Sequence, residues 1–110
     1  MATIDLAEGD TGSSVPAAVG DEILLTLAES PTSGYRWAFE ALDPETLDVV
    51  GDDYEPPEPG RLGGEGHRRW RLQARAEGSS WLRLVLRRAW DAESVVSSFE
   101  ATIVVRRAVE

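Results

Sequence analysis

The sequence contains no cysteine, which removes disulfide staples, thiol nucleophiles and cysteine-based metal sites at once. Its single histidine, His67, has no second histidine to share a metal with and reads as a surface or strand-start residue. Lysine is absent and arginine supplies all 11 basic residues, a habit of base composition. No apolar run approaches the roughly 20 residues that span a bilayer, and Met1-Ala2-Thr3-Ile4-Asp5 lacks the basic and apolar regions of an export signal. A soluble chain is expected, with no membrane partner and a cytoplasmic location by default. There is also no glycine-rich phosphate cradle, no nucleophile paired with a base and no convergent acid pair, so general acid–base catalysis has few candidates. No cofactor, metal or catalytic residue is expected.

At 110 residues with 42% apolar content, the chain has the size and composition of one globular domain, 1–110, with its own core. The net charge of −9 is unevenly spread. Residues 1–60 carry 14 acids and one arginine, Arg36, whereas residues 61–110 carry six acids and ten arginines. An acidic chain repels nucleic acid on average. Arg69, Arg71 and Arg75 fall at strand spacing with Gln73 among them, which reads as a solvated sheet face that discourages edge aggregation. Groove-reading motifs are missing, and no nucleic-acid partner is expected.

Strand signals run throughout. Glu22 to Leu27 is apolar and β-branched behind a Gly20-Asp21 turn. Tyr35 to Glu40 alternates aromatic with polar or small residues. Asp43 and Pro44 suit the cap and first position of one helical turn, after which Leu47 to Val50 reads as a short strand. Trp70, Leu72, Ala74 and Ala76 alternate with Arg71, Gln73 and Arg75, and beyond a Glu77-Gly78-Ser79 turn Leu82, Leu84 and Leu86 alternate with Arg83, Val85 and Arg87. Phe99, Ala101, Ile103 and Val105 share one face of a last strand. With weaker strands near 3–6 and 14–17, about seven or eight strands are predicted, which argues for an all-β, immunoglobulin-like antiparallel β-sandwich.

Three segments between strands stand out. In Ser30-Pro31-Thr32-Ser33-Gly34-Tyr35, proline fixes one backbone angle, glycine permits a positive one, and two small hydroxyl residues sit at the apex. This is either an ordinary inter-strand turn or a backbone left accessible to a partner. The second segment runs from Asp52 through Glu55-Pro56-Pro57-Glu58-Pro59-Gly60 to Gly63-Gly64-Glu65-Gly66, longer than most structureless loops. Its acids Asp52, Asp53, Glu55 and Glu58 do not follow the order of a calcium-binding EF-hand loop and read as a solvated acidic turn. In the third, Arg87-Arg88-Ala89-Trp90, a charge at Arg88 breaks the inward alternation and places Trp90 on a loop. Trp90 either folds back on the core or serves a partner, since tryptophan and arginine are enriched in binding hot spots.

The order and content of these segments resemble the chagasin-type inhibitors of papain-family cysteine proteases. That family carries Asn-Pro-Thr-Thr-Gly-Phe/Tyr, Gly-x-Gly-Gly and Arg-Pro-Trp/Phe motifs on three loops at one end of an immunoglobulin-like sandwich. Pro31, Thr32, Gly34 and Tyr35 match the first motif, followed by an aromatic at Trp37; Gly63 and Gly66 match the ends of the second; Arg88 and Trp90 match the third. Tyr54, Pro56-Pro57 and Leu62 also look familial. The likeness runs from about Gly20 onward. Ser33 stands conservatively for threonine, whereas Ser30 stands for asparagine, Glu65 for glycine and Ala89 for proline, changes expected to alter affinity or target preference, because lost pre-organisation weakens binding.

The resemblance implies reversible, tight-binding inhibition by occlusion, by a monomer acting on a papain-family cysteine protease. Pro31, Thr32, Ser33, Gly34 and Tyr35 would approach the catalytic Cys–His pair, Gly63, Gly64, Glu65 and Gly66 would lie along the cleft, and Arg88, Ala89 and Trp90 would brace its other side. The alternative is an immunoglobulin-like interaction module that uses the same loops on a non-protease partner.

Overall fold

The computed structural model describes residues 2–30, 33–57 and 65–107. Eight strands follow one another: β1 (Thr3–Leu6), β2 (Ser13–Ala18), β3 (Glu22–Glu29), β4 (Tyr35–Ala41), β5 (Leu47–Glu55), β6 (Gly66–Ala74), β7 (Gly78–Arg88) and β8 (Ser97–Arg106). They form two four-stranded sheets, ordered β1-β3-β6-β5 and β2-β8-β7-β4. The immunoglobulin-like sandwich is therefore present. The central pairings are antiparallel, and each sheet gains one strand in parallel, β1 on β3 and β2 on β8.

Alternation decides what each sheet buries. Ile23, Leu25 and Leu27 of β3 and Trp70, Leu72 and Ala74 of β6 meet Leu82 and Leu84 of β7 and Phe99, Ala101, Ile103 and Val105 of β8 in one core. Each fully buried large side chain contributes roughly 1.5–3 kcal/mol. Phe39 of β4 meets Trp70 edge-on across the sheets, with centroids 5.9 Å apart at 70°. One inward group is out of place: the Ser80 hydroxyl is buried with no hydrogen-bond partner among the described residues.

The uneven charge resolves in space. β6 carries its arginines between acidic β3 and β5, giving ion pairs Arg71–Glu22 at 3.4 Å and Arg69–Glu55 at 3.8 Å on the outer face. Arg71, Gln73 and Arg75 are exposed there, as expected of a solvated face.

Three expectations need correction. The strand beginning near Trp70 ends at Ala74, so Ala76 lies exposed in the following turn. The strand placed at Leu47 to Val50 continues to Glu55, because residues 52–55 pair with Arg68, Arg69, Trp70 and His67 of β6. A register shift between Val49 and Gly51 lets Val50 bulge and changes which residues face inward. The acids of this stretch are thereby separated: Asp52 pairs with Arg68 and Glu55 with Arg69. Asp43 does cap its turn, its carboxylate accepting from the Glu45 amide at 3.0 Å and the Thr46 hydroxyl at 3.0 Å, but the chain enters β5 before a helix develops.

Asp21 closes the end of the sandwich away from the three segments. Its carboxylate accepts from the Ala18 and Ala2 amides, both at 2.9 Å, and these bonds, Ala18 first, lower its pKa. A depressed carboxylate pKa stabilises the fold above the unfolded value, and that contribution is lost as pH falls through the folded value. Asp21→Asn is therefore expected to lower the urea midpoint at pH 7 and to flatten its decline on acidification below about pH 4, measured by urea unfolding across pH; an unchanged acid limb would refute this. Ser80→Ala removes an unsatisfied buried hydroxyl and is expected to raise stability by about 1 kcal/mol in the same assay.

Candidate functional site

The register brings three connections to one end. In one sheet Glu29 pairs with Gly66, and Glu55 with His67, so β3 ends where the β5–β6 connection returns. In the other, Tyr35 pairs with Arg88, so β4 begins where β7 ends. The β3–β4, β5–β6 and β7–β8 connections, which hold the segments singled out in the sequence, therefore share this end. Pro31, Thr32, Gly63 and Gly64 lie outside the described residues; Ser33, Gly34, Tyr35, Glu65, Gly66, Arg88, Ala89 and Trp90 lie within them.

The first connection is closed by its own hydroxyl chemistry. The Ser30 carbonyl accepts from the Ser33 amide at 3.2 Å and from the Ser33 hydroxyl at 2.7 Å. The Tyr35 amide donates to the same hydroxyl at 3.1 Å. Serine at position 33 thus supplies the oxygen that closes the turn. Gly34 follows at φ 82°, a conformation glycine adopts without a Cβ penalty.

Gly34 also meets the third connection: a Cβ built on it would come 3.4 Å from Trp90 Cη2. Trp90 remains 75% exposed, so it lies beside the first loop and does not fold into the core. Arg88 is stacked at 5.0 Å over the Tyr35 ring, a cation–π contact that joins the same two loops. Behind them, the Arg88 amide donates to Ser94 Oγ at 2.8 Å, and that hydroxyl donates to the Asp91 carbonyl at 2.7 Å. Arg87 Nη1 donates to the Arg88 and Ala89 carbonyls at 3.2 and 3.4 Å. These bonds brace the loop at the position where the family motif has proline.

Glu65 and Gly66 play different parts. Glu65 is exposed and lines a cleft of about 350 Å³ with Ala28, Trp37, Leu86 and Ser97. Gly66 is buried, and a Cβ there would lie 2.2 Å from the Tyr54 hydroxyl and 2.4 Å from the Glu55 carbonyl. Close packing requires glycine at Gly66.

Beneath the loops the core turns polar. Glu29 continues the inward alternation of Ile23, Leu25 and Leu27, and its side chain is 1% exposed. Its Oε1 accepts from Arg68 Nη2 at 3.0 Å and its Oε2 from the Trp37 amide at 3.2 Å. Arg68 also donates to Asp52 at 3.1 Å and lies 5.3 Å over the Tyr54 ring. The bond to Glu29, more than that to Asp52, raises the Arg68 pKa. Tyr54 donates from its hydroxyl to the Glu29 carbonyl at 3.3 Å, and Trp37 Nε1 donates to the Ala28 carbonyl at 2.8 Å. Motif reading passed over Glu29 and Arg68, and took Asp52 for part of a solvated acidic turn when it is ion-paired to Arg68. Strand parity carries the signal for Glu29 and for Arg68, which shares its face with Trp70 and Leu72.

Among the described residues no group of three or more acids or histidines is placed to hold a metal ion. What the described residues of this end present is an exposed aromatic, Trp90, beside a turn closed by Ser33.

The comparisons with known proteins agree with that character. Chagasin from Trypanosoma cruzi is 27% identical over 93 residues, covering 81% of this chain and 84% of chagasin. The crystal structure of the cysteine protease inhibitor EhICP2 from Entamoeba histolytica has the same fold, with a TM-score of 0.87 at 24% identity, covering 96% of this chain and 97% of that one. PbICP-C, solved in complex with falcipain-2, superposes with a TM-score of 0.71 at 14% identity, covering 96% of this chain and all of that one (100%). The sequence profile described as Chagasin family peptidase inhibitor I42 matches residues 17–105, a span that takes in every loop at this end, and the chain belongs to the chagasin family of peptidase inhibitors.

Proposed function

We propose that the loop end seats in the active-site cleft of a papain-family cysteine protease and blocks it reversibly, one inhibitor monomer per enzyme. The observation that carries this reading is the placement of the exposed Trp90 beside Gly34, where a Cβ would meet its ring at 3.4 Å, which brings the first and third loops to one edge. The relatives support the choice of target: EhICP2 is a cysteine protease inhibitor, and PbICP-C was solved with falcipain-2.

The mechanism is occlusion without turnover. The turn closed by Ser33 presents Pro31 and Thr32 to the catalytic Cys–His pair. Ser33 closes the turn on the Ser30 carbonyl and receives the Tyr35 amide, and on this reading the chain blocks the enzyme without being cleaved. The segment through Gly63, Gly64 and Glu65 lies along the cleft and adds main-chain hydrogen bonds, while Gly66, buried at the start of β6, anchors its end and makes no contact with the enzyme. Glu65 brings a negative charge to that contact and is the residue placed to select among proteases by the charge of their cleft walls. Trp90 covers an apolar surface on the opposite wall, while Arg88, held over Tyr35, faces acidic groups there. An aromatic side chain of this kind buries 150–250 Å².

Titration into papain with a fluorogenic peptide substrate tests the reading. Stoichiometric, reversible inhibition with the chain intact on a gel is expected; no inhibition at micromolar concentration would overturn it and leave a non-protease partner for the same loops. Trp90→Ala removes a group that is already exposed, so the melting temperature should hold while the inhibition constant rises about 30-fold, the effect of a hot spot of about 2 kcal/mol. An unchanged inhibition constant would remove Trp90 from the contact.

A further inference from the structure

We infer that Glu29, which no inhibitory motif includes, is the positioning residue of the inhibitory end, setting the geometry of the first and second loops together through one buried carboxylate. The inference rests on the proposed inhibition of cysteine proteases and adds to it a residue that need not touch the enzyme.

Glu29 ends β3 and directly precedes the turn of the first loop. Its Oε2 accepts from the backbone amide of Trp37, at the far end of that loop, so a single side chain clamps both arms. Its Oε1 accepts from Arg68, two residues beyond Gly66. Its main-chain carbonyl accepts from Tyr54, on the strand that leads into the second loop. Arg36 Nη1 adds a weaker approach at 3.9 Å. Glu29 thus contacts elements on either side of both loops.

Stability alone does not account for this arrangement. A well-packed apolar pair commonly replaces a buried ion pair without loss of stability. What an apolar pair lacks is direction. The carboxylate fixes the Trp37 amide through one oxygen and the Arg68 guanidinium through the other, and charge-assisted bonds of this kind are short and oriented. Arg68 is fixed in turn by Asp52 and by the Tyr54 ring. Loops left to sample several arrangements would bind as though only the competent fraction were present.

The test compares wild type, Glu29→Gln and the double variant Glu29→Met/Arg68→Met. The double variant replaces the ion pair with side chains of similar length. Its melting temperature is expected to stay within a few degrees of wild type, while papain association slows and the inhibition constant rises about tenfold, as for a tenfold smaller competent population. Glu29→Gln, which keeps an acceptor for Trp37, is expected to fall between. Amide exchange of residues 29–37 and 65–68 in the free variants should quicken in the same order. Wild-type association and exchange rates in a folded double variant would overturn the inference. If that variant does not fold, unchanged rates in Glu29→Gln overturn it instead. If wild type does not inhibit papain, the inhibitory reading fails, and the exchange rates still decide whether Glu29 sets the loops.

Discussion

A carboxylate on the inward face of a β-sandwich must find donors, because an ion taken out of water costs several kcal/mol unless it is paired and hydrogen-bonded. Glu29 meets that requirement with Arg68 and the Trp37 amide, and the surrounding structure follows from it. Arg68 must turn inward, which brings Asp52 and the Tyr54 ring to it. Tyr54 must reach the Glu29 carbonyl, which leaves no room for a side chain at Gly66. At the loop end the apolar core therefore gives way to a layer in which each group fixes the direction of the next. Binding loops supported in this way lose less freedom on association than loops resting on an interchangeable apolar surface.

The remainder of the molecule serves that end. Two sheets close over leucine, isoleucine and phenylalanine, and the exposed β3 edge beyond β1 is covered where Glu8 accepts the Ala28 amide at 2.7 Å. The acidic and arginine-rich halves of the chain meet as neighbouring strands, so the lopsided charge of the sequence appears in space as cross-strand pairing. The third loop sits on the other sheet and is joined to the first by Arg88 over Tyr35 and by Trp90 beside Gly34.

Much of this was legible in the sequence. Alternation in β3, β6 and β8 exposed the sandwich because each of those strands keeps one parity along its apolar face, and the proline, glycine and tryptophan of the three loops are residue types with few other reasons to occur in that order. What escaped was the polar layer. Glu29 breaks the apolar rule while obeying the parity rule, so a reading by hydrophobicity ends β3 at Leu27, two residues early. Asp52 and Tyr54 were hidden by the bulge at Val50, which moves them to the inner face. A bulge is a property of the paired strands and leaves no mark in one strand read alone. The approach of Trp90 to Gly34 was equally invisible, since it brings together residues of different connections. At Ala89, where the motif has proline, Arg87 donates to the carbonyl, and Ser33, in place of threonine, closes its turn with its own hydroxyl; the first of these bonds depends on a neighbour that the motif does not include.

The central claim is that the loop end occupies the substrate cleft of its protease. Its most direct test is binding to papain whose cleft has been filled covalently by a peptidyl inactivator, compared by titration calorimetry with the free enzyme. Occlusion predicts that filling the cleft abolishes association, because the inactivator and the loops need the same space. Equal affinity for both forms would place the contact elsewhere on the protease and contradict the account.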